Sequence, residues 1–295
     1  MSILTANLVC VALVALDLAV RAWRIQWILA GTHCRVGFRD AVVLNAIGDA
    51  AAAVTPNRIG AEPARLGGAV LSGVPVAAGF VAIAIETLVM AITTIVVAVW
   101  LSVRYAPEWW HTAGPALQDT FDDAWPWIFA LLVAGAVAWW SVRRYAPALS
   151  HSMRRGTRRA WVYARRMPRW PLVMCAVTSV LSIAARVAIL PVLALTLPHP
   201  PPLGPLLFAS FALVYAQVLL PTPSGAGVVE LGFLGGAVGN LGVGYKSLLL
   251  LWRFYTTVLL IALGIVLGVW RYGPAAVRAM FRGRGTPEPL PEELP

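Results

Sequence analysis

Apolar residues run along this chain in long blocks, with the polar positions gathered between them. Five blocks, residues 3–29, 80–103, 125–142, 171–197 and 247–270, are long enough as helices to cross a hydrocarbon layer of roughly 30 Å. Four shorter ones, 38–54, about 64–78, 204–220 and 226–240, come as two pairs. The run from Leu66 to Val103 carries a single charge, Glu86. At about 1.5 Å per residue it is too long for one straight crossing, so a break is expected at Pro75 and Gly79.

Each short pair is divided by the same unusual element. The first copy is Thr55-Pro56-Asn57-Arg58-Ile59-Gly60 followed by Glu62; the second is Thr222-Pro223-Ser224-Gly225-Ala226-Gly227 followed by Glu230. Proline and glycine interrupt helical pairing, and unpaired backbone survives at membrane depth only where protein or a wet cavity shelters it. One such break in each half of the chain is the pattern of a transport site.

Polar connectors set the orientation. Residues 104–123 are mostly acidic, with Glu108, Asp119, Asp122 and Asp123, whereas 143–169 holds nine arginines and no acid. A stretch so lopsided stays in the cytoplasm, where it meets anionic headgroups or forms a basic amphipathic helix on the leaflet. The Arg-rich loop and the C-terminus are then inside, the acidic loop and the N-terminus outside. The first broken pair, 38–78, begins and ends at the cytoplasmic face; the second, 204–240, begins and ends at the outer face. Full crossings by 204–220 and 226–240 satisfy the same parity, and charge bias does not separate the two. The expected architecture is an all-α polytopic membrane protein with about five full transmembrane helices plus two broken, re-entrant helix pairs forming an inverted repeat. Residues 1–270 make one transmembrane domain with repeat-like elements 38–103 and 204–270, and 271–295 a partly disordered cytoplasmic tail.

Composition agrees: 59% hydrophobic and 12% charged residues are outside the range of an ordinary soluble domain. The net charge of +10 does not point to nucleic acid, because the basic residues cluster beside membrane segments. Cys10, Cys34 and Cys175 are too scattered for a disulfide framework or a metal site. The first apolar block lacks a positive leading segment and runs into Arg21, Trp23 and Arg24, so it reads as a retained helix. No GxSxG, HExxH, phosphate-loop or dinucleotide fingerprint appears, and neither catalysis nor a cofactor is expected. His33 and Cys34 are candidate headgroup-modifying residues by type alone.

The candidate chemistry lies in charges at membrane depth: Asp17, Asp49, Glu62, Arg65, Glu86, Arg186, Glu230 and Arg253. Charges in hydrocarbon are costly, so they should face a bundle interior or a wet cavity and find partners. Asp17 and Arg21 stand four apart on one helix face and can pair, while Arg21 and Arg24 are expected to snorkel to the leaflet. Gly60, Gly225 and Gly227 permit close backbone approach, and N–H groups freed at a half-helix start attract an anion such as phosphate, with Arg58, Arg65 and Arg253 as opposing charges. Glu62 and Glu230 are either proton carriers or counter-charges that hold the arginines. Asn45, Thr55, Thr222, Ser224 and Tyr255 complete the candidate set around the breaks. Gly232, Gly235, Gly236 and Gly239 read as close helix packing, and the paired tryptophans as interface anchors.

The segments Asn45-Ala-Ile-Gly48-Asp49, Thr55-Pro56 through Arg65, and Pro221-Thr222-Pro223-Ser224-Gly225-Ala-Gly227 through Glu230 resemble the two signatures of the flippase-like membrane domain of lysylphosphatidylglycerol synthases. Leu251-Trp252-Arg253-Phe254-Tyr255 resembles the element that follows the second signature, and Arg21-Ala-Trp23-Arg24 the family's first helix. Asn57 and Arg58 depart from small residues common there, Leu251-Trp252 replace a tyrosine, and Glu86 lacks an adjacent arginine. The resemblance implies an inner-membrane protein that moves a phospholipid or other amphipathic lipid between leaflets, without lysyl transfer. The alternative is a non-transporting scaffold or regulator of a lipid, hopanoid or glycan synthesis complex, docking a lipid-synthesis enzyme or anionic lipid through 143–169.

Overall fold

The computed structural model describes residues 1–107, 161–165, 167–218, 220, 222–233 and 245–281, with isolated helical positions between 126 and 144. The expected crossing at 125–142, the Arg-rich loop and the tail beyond 281 lie largely outside the described residues. The described residues are helical, with no strand among them.

Four helices are long and apolar enough to span a membrane: α1 (Ile3–Gly31), α4 (Val76–Tyr105), α5 (Arg169–Ala194) and the continuous helix through Ser247–Gly273. That last helix comprises α8 (Tyr245–Arg253), one π turn (Phe254–Val258) and α9 (Leu259–Phe281). The short helices are α2 (Phe38–Val54), α3 (Ala61–Leu71), α6 (Leu203–Ala216) and α7 (Val228–Gly232). At ~1.5 Å per residue α2 reaches about 25 Å and α6 about 21 Å, both short of the hydrocarbon thickness.

Local chemistry fixes the ends. The Ser2 hydroxyl caps α1 by accepting from the Thr5 amide at 3.1 Å. His33 takes a left-handed conformation (φ 62°) after α1, and Gly73 does so (φ 83°) after α3. Each closes a Schellman motif: the amides of His33 and Cys34 bond the carbonyls of Ala30 and Leu29, and those of Gly73 and Val74 bond Val70 and Ala69. The expected break is therefore found at Pro75 and corrected at Gly79. The chain turns over Ser72–Pro75, Pro75 takes the start of α4, and Gly79 lies inside that helix. The segment expected at 64–78 is the helix Ala61–Leu71.

α1 is the central post and runs antiparallel to α5: the amino group of Met1 meets the Leu195 carbonyl at 3.1 Å, and Gly31 abuts Met167 and Pro171. Two apolar cores stack along it. One gathers Cys10, Val14 and Leu18 with Leu190, Leu193, Leu213, Phe233 and Trp252; the other gathers Ala22, Ile25, Ile28 and Leu29 with Leu44, Ala69, Ala78 and Ile83. Asp17, the central residue of α1, stands about 21 Å from either end, near where one core gives way to the other.

The α2–α3 hairpin starts and finishes at one end of the bundle. Arg271 donates to Asp40 near its start, and the Tyr272 hydroxyl lies 2.9 Å from that of Ser72 at its finish. α6 starts at the opposite end, where Gly204 packs on Tyr105 of α4, and α8 begins there too, with Ser247 and Leu248 beside Ile3 and Leu197.

Candidate functional site

The tips of the two broken segments pack on each other. Their backbones match over the first four residues and part at the fifth, where Ile59 stays helical and Ala226 is extended. Asn57 and Arg58 are left-handed at φ 49° and 58°; Ser224 and Gly225 are left-handed at φ 51° and 67°. In each, the fourth residue's amide bonds the threonine carbonyl and the fifth's bonds the proline carbonyl. Left-handed backbone costs a residue with a Cβ of order 1 kcal/mol, and only the second turn relieves one of its two positions with glycine. The Ser224 hydroxyl ties the turns together by donating to the Ala53 carbonyl at 3.0 Å.

The amides expected to be free for an anion are taken by the protein itself. Gly60 donates to the Thr55 hydroxyl at 3.0 Å, which donates in turn to the Ala51 carbonyl. Gly227 donates to Glu230 at 2.7 Å.

Around the turns the charges form three groups. In the first, Arg21 bonds both carboxylate oxygens of Asp49 and lies 3.1 Å from Asp17. Arg186 reaches Asp17 through Nε at 2.9 Å, and Ser182 donates to the same carboxylate. Arg186 Nη2 stands 3.4 and 3.5 Å from the two oxygens of Asp49. Arg58 approaches Asp49 at 3.7 Å. In the second group Glu86 is clamped between Arg24, at 2.7 Å, and Arg65, whose other arm meets Glu62 at 3.2 Å. Ser179 accepts from Arg24 at 3.2 Å. In the third, Arg253 joins Glu230 at 2.6 Å and the Ser224 carbonyl at 2.9 Å, which pins the second turn to α8.

Arg21 and Arg24 are thus not leaflet anchors. They are 7% and 4% exposed, with Asp17, Asp49 and Glu86 at 3%, 6% and 1%. Snorkelling fails because both guanidiniums already meet buried carboxylates, Arg21 those of Asp17 and Asp49 and Arg24 that of Glu86.

Of the candidate residues, Asp49, Arg58 and Arg186 meet in the first group, Glu62, Arg65 and Glu86 in the second, and Ser224, Gly227, Glu230 and Arg253 in the third. Asn45 is buried but bonds its own helix at the Ala41 carbonyl. Tyr255, on the π turn, donates to Asn7 at 2.8 Å. Among the described residues the hydroxyl of Thr222, unlike that of Thr55, is buried without a partner, as are Arg253 Nη2 and the Tyr215 hydroxyl. His33 and Cys34 belong to the turn that ends α1. Ser179 and Ser182 were not among the candidates, although their spacing with Arg186 puts all three on one face of α5.

Asp17, Arg58, Arg186, Gln217, Tyr255 and Thr256 share a cavity of about 20 Å³, room for roughly one water. Little free volume remains beside Asp17, Arg58 and Arg186, while Glu62 and Glu230 keep part of their exposure.

Residues 2–264 match the family model for the lysylphosphatidylglycerol synthase TM region. The chain belongs to this family. The match to the membrane region of the lysylphosphatidylglycerol synthases supports a general role in lipid handling. No curated protein and no solved structure matches the chain.

Proposed function

We propose that the protein carries an amphipathic lipid between leaflets, the headgroup passing the charged centre while the tails stay in the bilayer. Keeping the tails in hydrocarbon avoids about 0.8 kcal/mol for each CH₂ drawn into water. The observation that carries this reading is the meeting of two matched Thr-Pro turns among buried acids and arginines near the middle of α1. Both ends of the α2–α3 hairpin lie at the end of the bundle where α1 finishes, and the second broken segment approaches from the opposite end. That arrangement supports two re-entrant elements of inverted topology, with discontinuous helices meeting at a midplane site. The Arg-rich loop 143–169 sets the cytoplasmic side, with the N-terminus outside in the inner membrane.

A leaflet-resolved lipid assay in proteoliposomes tests the proposal. Glu230→Gln, Arg253→Gln, Glu62→Gln and Arg65→Gln are expected to slow lipid movement at least tenfold while still inserting. Wild-type rates in all four would overturn it.

The tightness of the centre favours a second reading, a non-transporting scaffold or regulator that docks a lipid-synthesis enzyme. A cavity of about 20 Å³ admits no headgroup without rearrangement. The scaffold reading expects no leaflet exchange from the wild-type protein, so the same assay separates the two.

A further inference from the structure

The three charged groups differ in one respect. Arg24 and Arg65 are matched by Glu86 and Glu62, and Arg253 by Glu230. Three arginines, Arg21, Arg58 and Arg186, share only Asp17 and Asp49. Among the described residues the centre therefore holds one cation more than its acids can match, at a depth where unmatched charge is costly.

The bonds show which arginines carry the surplus. Arg21 is committed to Asp49 through two donors, and Asp17 is held by Arg186 Nε and Ser182. Arg58 makes no side-chain hydrogen bond among the described residues; its contact with Asp49 is the longest ion pair of the set, and its side chain keeps 23% of its exposure. Arg186 turns a loosely held Nη2 toward the same side. Both arginines line the small cavity with Gln217 and Thr256.

We propose that Arg58 and Arg186 receive a phosphate monoanion, the phosphodiester of a lipid headgroup. This rests on the reading that the centre admits a headgroup. The guanidinium fork matches phosphate oxygens two at a time, and one negative charge restores neutrality. The phosphate displaces the two long contacts to Asp49 and leaves the Arg21–Asp49 and Arg186–Asp17 pairs in place. A zwitterionic headgroup, whose amine cancels its phosphate, leaves the surplus cation unmatched and binds worse. Arg65 and Arg253 are excluded as the primary receivers because each already faces its own carboxylate.

The test uses the full chain in detergent, with dihexanoyl phosphatidylglycerol, dihexanoyl phosphatidylcholine and inorganic phosphate as probes and thermal unfolding as the readout. The phosphatidylglycerol is expected to raise the unfolding midpoint at concentrations at least tenfold below those of the phosphatidylcholine. Arg58→Gly should lose that tenfold preference; it installs the residue that the second turn carries as Gly225, so its left-handed backbone is favoured and folding is kept. Arg58→Lys should retain part of the preference, as a point charge without the fork. Equal response to both lipids, or an unchanged preference in Arg58→Gly, overturns the inference even if lipid moves in proteoliposomes. A preference lost in Arg58→Gly with no lipid movement by the wild type sustains the phosphate site and ends the transport reading. A response to inorganic phosphate alone overturns the headgroup as its source.

Discussion

Glu86 shows how much one carboxylate does in this interior. It is almost wholly buried and accepts from Arg24 on one side and Arg65 on the other. Removing one member of a buried ion pair costs about 3–5 kcal/mol, because the partner charge stays behind without compensation. Glu86→Gln leaves Arg24 without a carboxylate, while Arg65 keeps Glu62, so its thermal unfolding in detergent should show a loss within that range. Glu62→Gln tests the contrast: the Glu62 side chain keeps 43% of its exposure, and its removal should cost less than about 1 kcal/mol. Equal losses from the two variants would mean that Glu86 does not serve as the shared counter-ion. A finding of this kind was half legible in the chain. The spacing of Asp17, Arg21 and Arg24 puts them on one helix face, from which a local Asp17–Arg21 pair and leaflet anchoring by Arg21 and Arg24 were expected. Their partners stand 28 and 62 residues away on other helices, a separation that no local pattern encodes.

At the level of elements the same contrast recurs. The two breaks were readable because Thr-Pro followed by glycine cannot continue a helix, and the helix ends that differ from expectation have a physical cause. Gly79 stays helical because the Schellman turn at Gly73 and the proline at the start of α4 already reverse the chain. That leaves Gly79 to pack under Leu66 and Val74. Close packing of helices was expected from the glycines of 232–244, most of which lie outside the described residues; the described example is Gly264 of α9, against whose Cα the Ala46 carbonyl of α2 rests directly. A Cβ there collides with backbone, which cannot swing aside. Gly264→Ala should therefore cost about 1–3 kcal/mol as overpacking and loosen α9 from α2. Gly79→Ala meets first the tip of Leu66 at 3.1 Å, a flexible side chain, and should cost clearly less. Melting of the two variants side by side in one detergent checks the order; a larger loss for Gly79→Ala would contradict the packing described.

For the whole molecule, the contacts at the two ends of the bundle make orientation a measurable property of native residues. Arg271 on Asp40 and Tyr272 on Ser72 gather the start of α2, the finish of α3 and the end of α9 at one end, where the connector holding Cys34 also lies. In the proposed orientation, taken from the positive loop and tail, that end is cytoplasmic. Cys10 and Cys175 are fully buried, whereas Cys34 is partly open, so the native chain carries one reactive thiol among three. A membrane-impermeant maleimide should leave the protein unlabelled in intact spheroplasts and modify Cys34 in inverted vesicles, with Cys10 and Cys175 reacting only after denaturation. Arg35→Cys, in the exposed part of the same connector, should react faster from the same side. Ser2→Cys, exposed at the far end of α1, should show the opposite pattern and react in spheroplasts. Labelling of Cys34 or Arg35→Cys from outside would reverse the orientation and place the nine arginines of 143–169 beyond the membrane. The electrostatics of a cytoplasmic leaflet rich in anionic lipid would then not hold them.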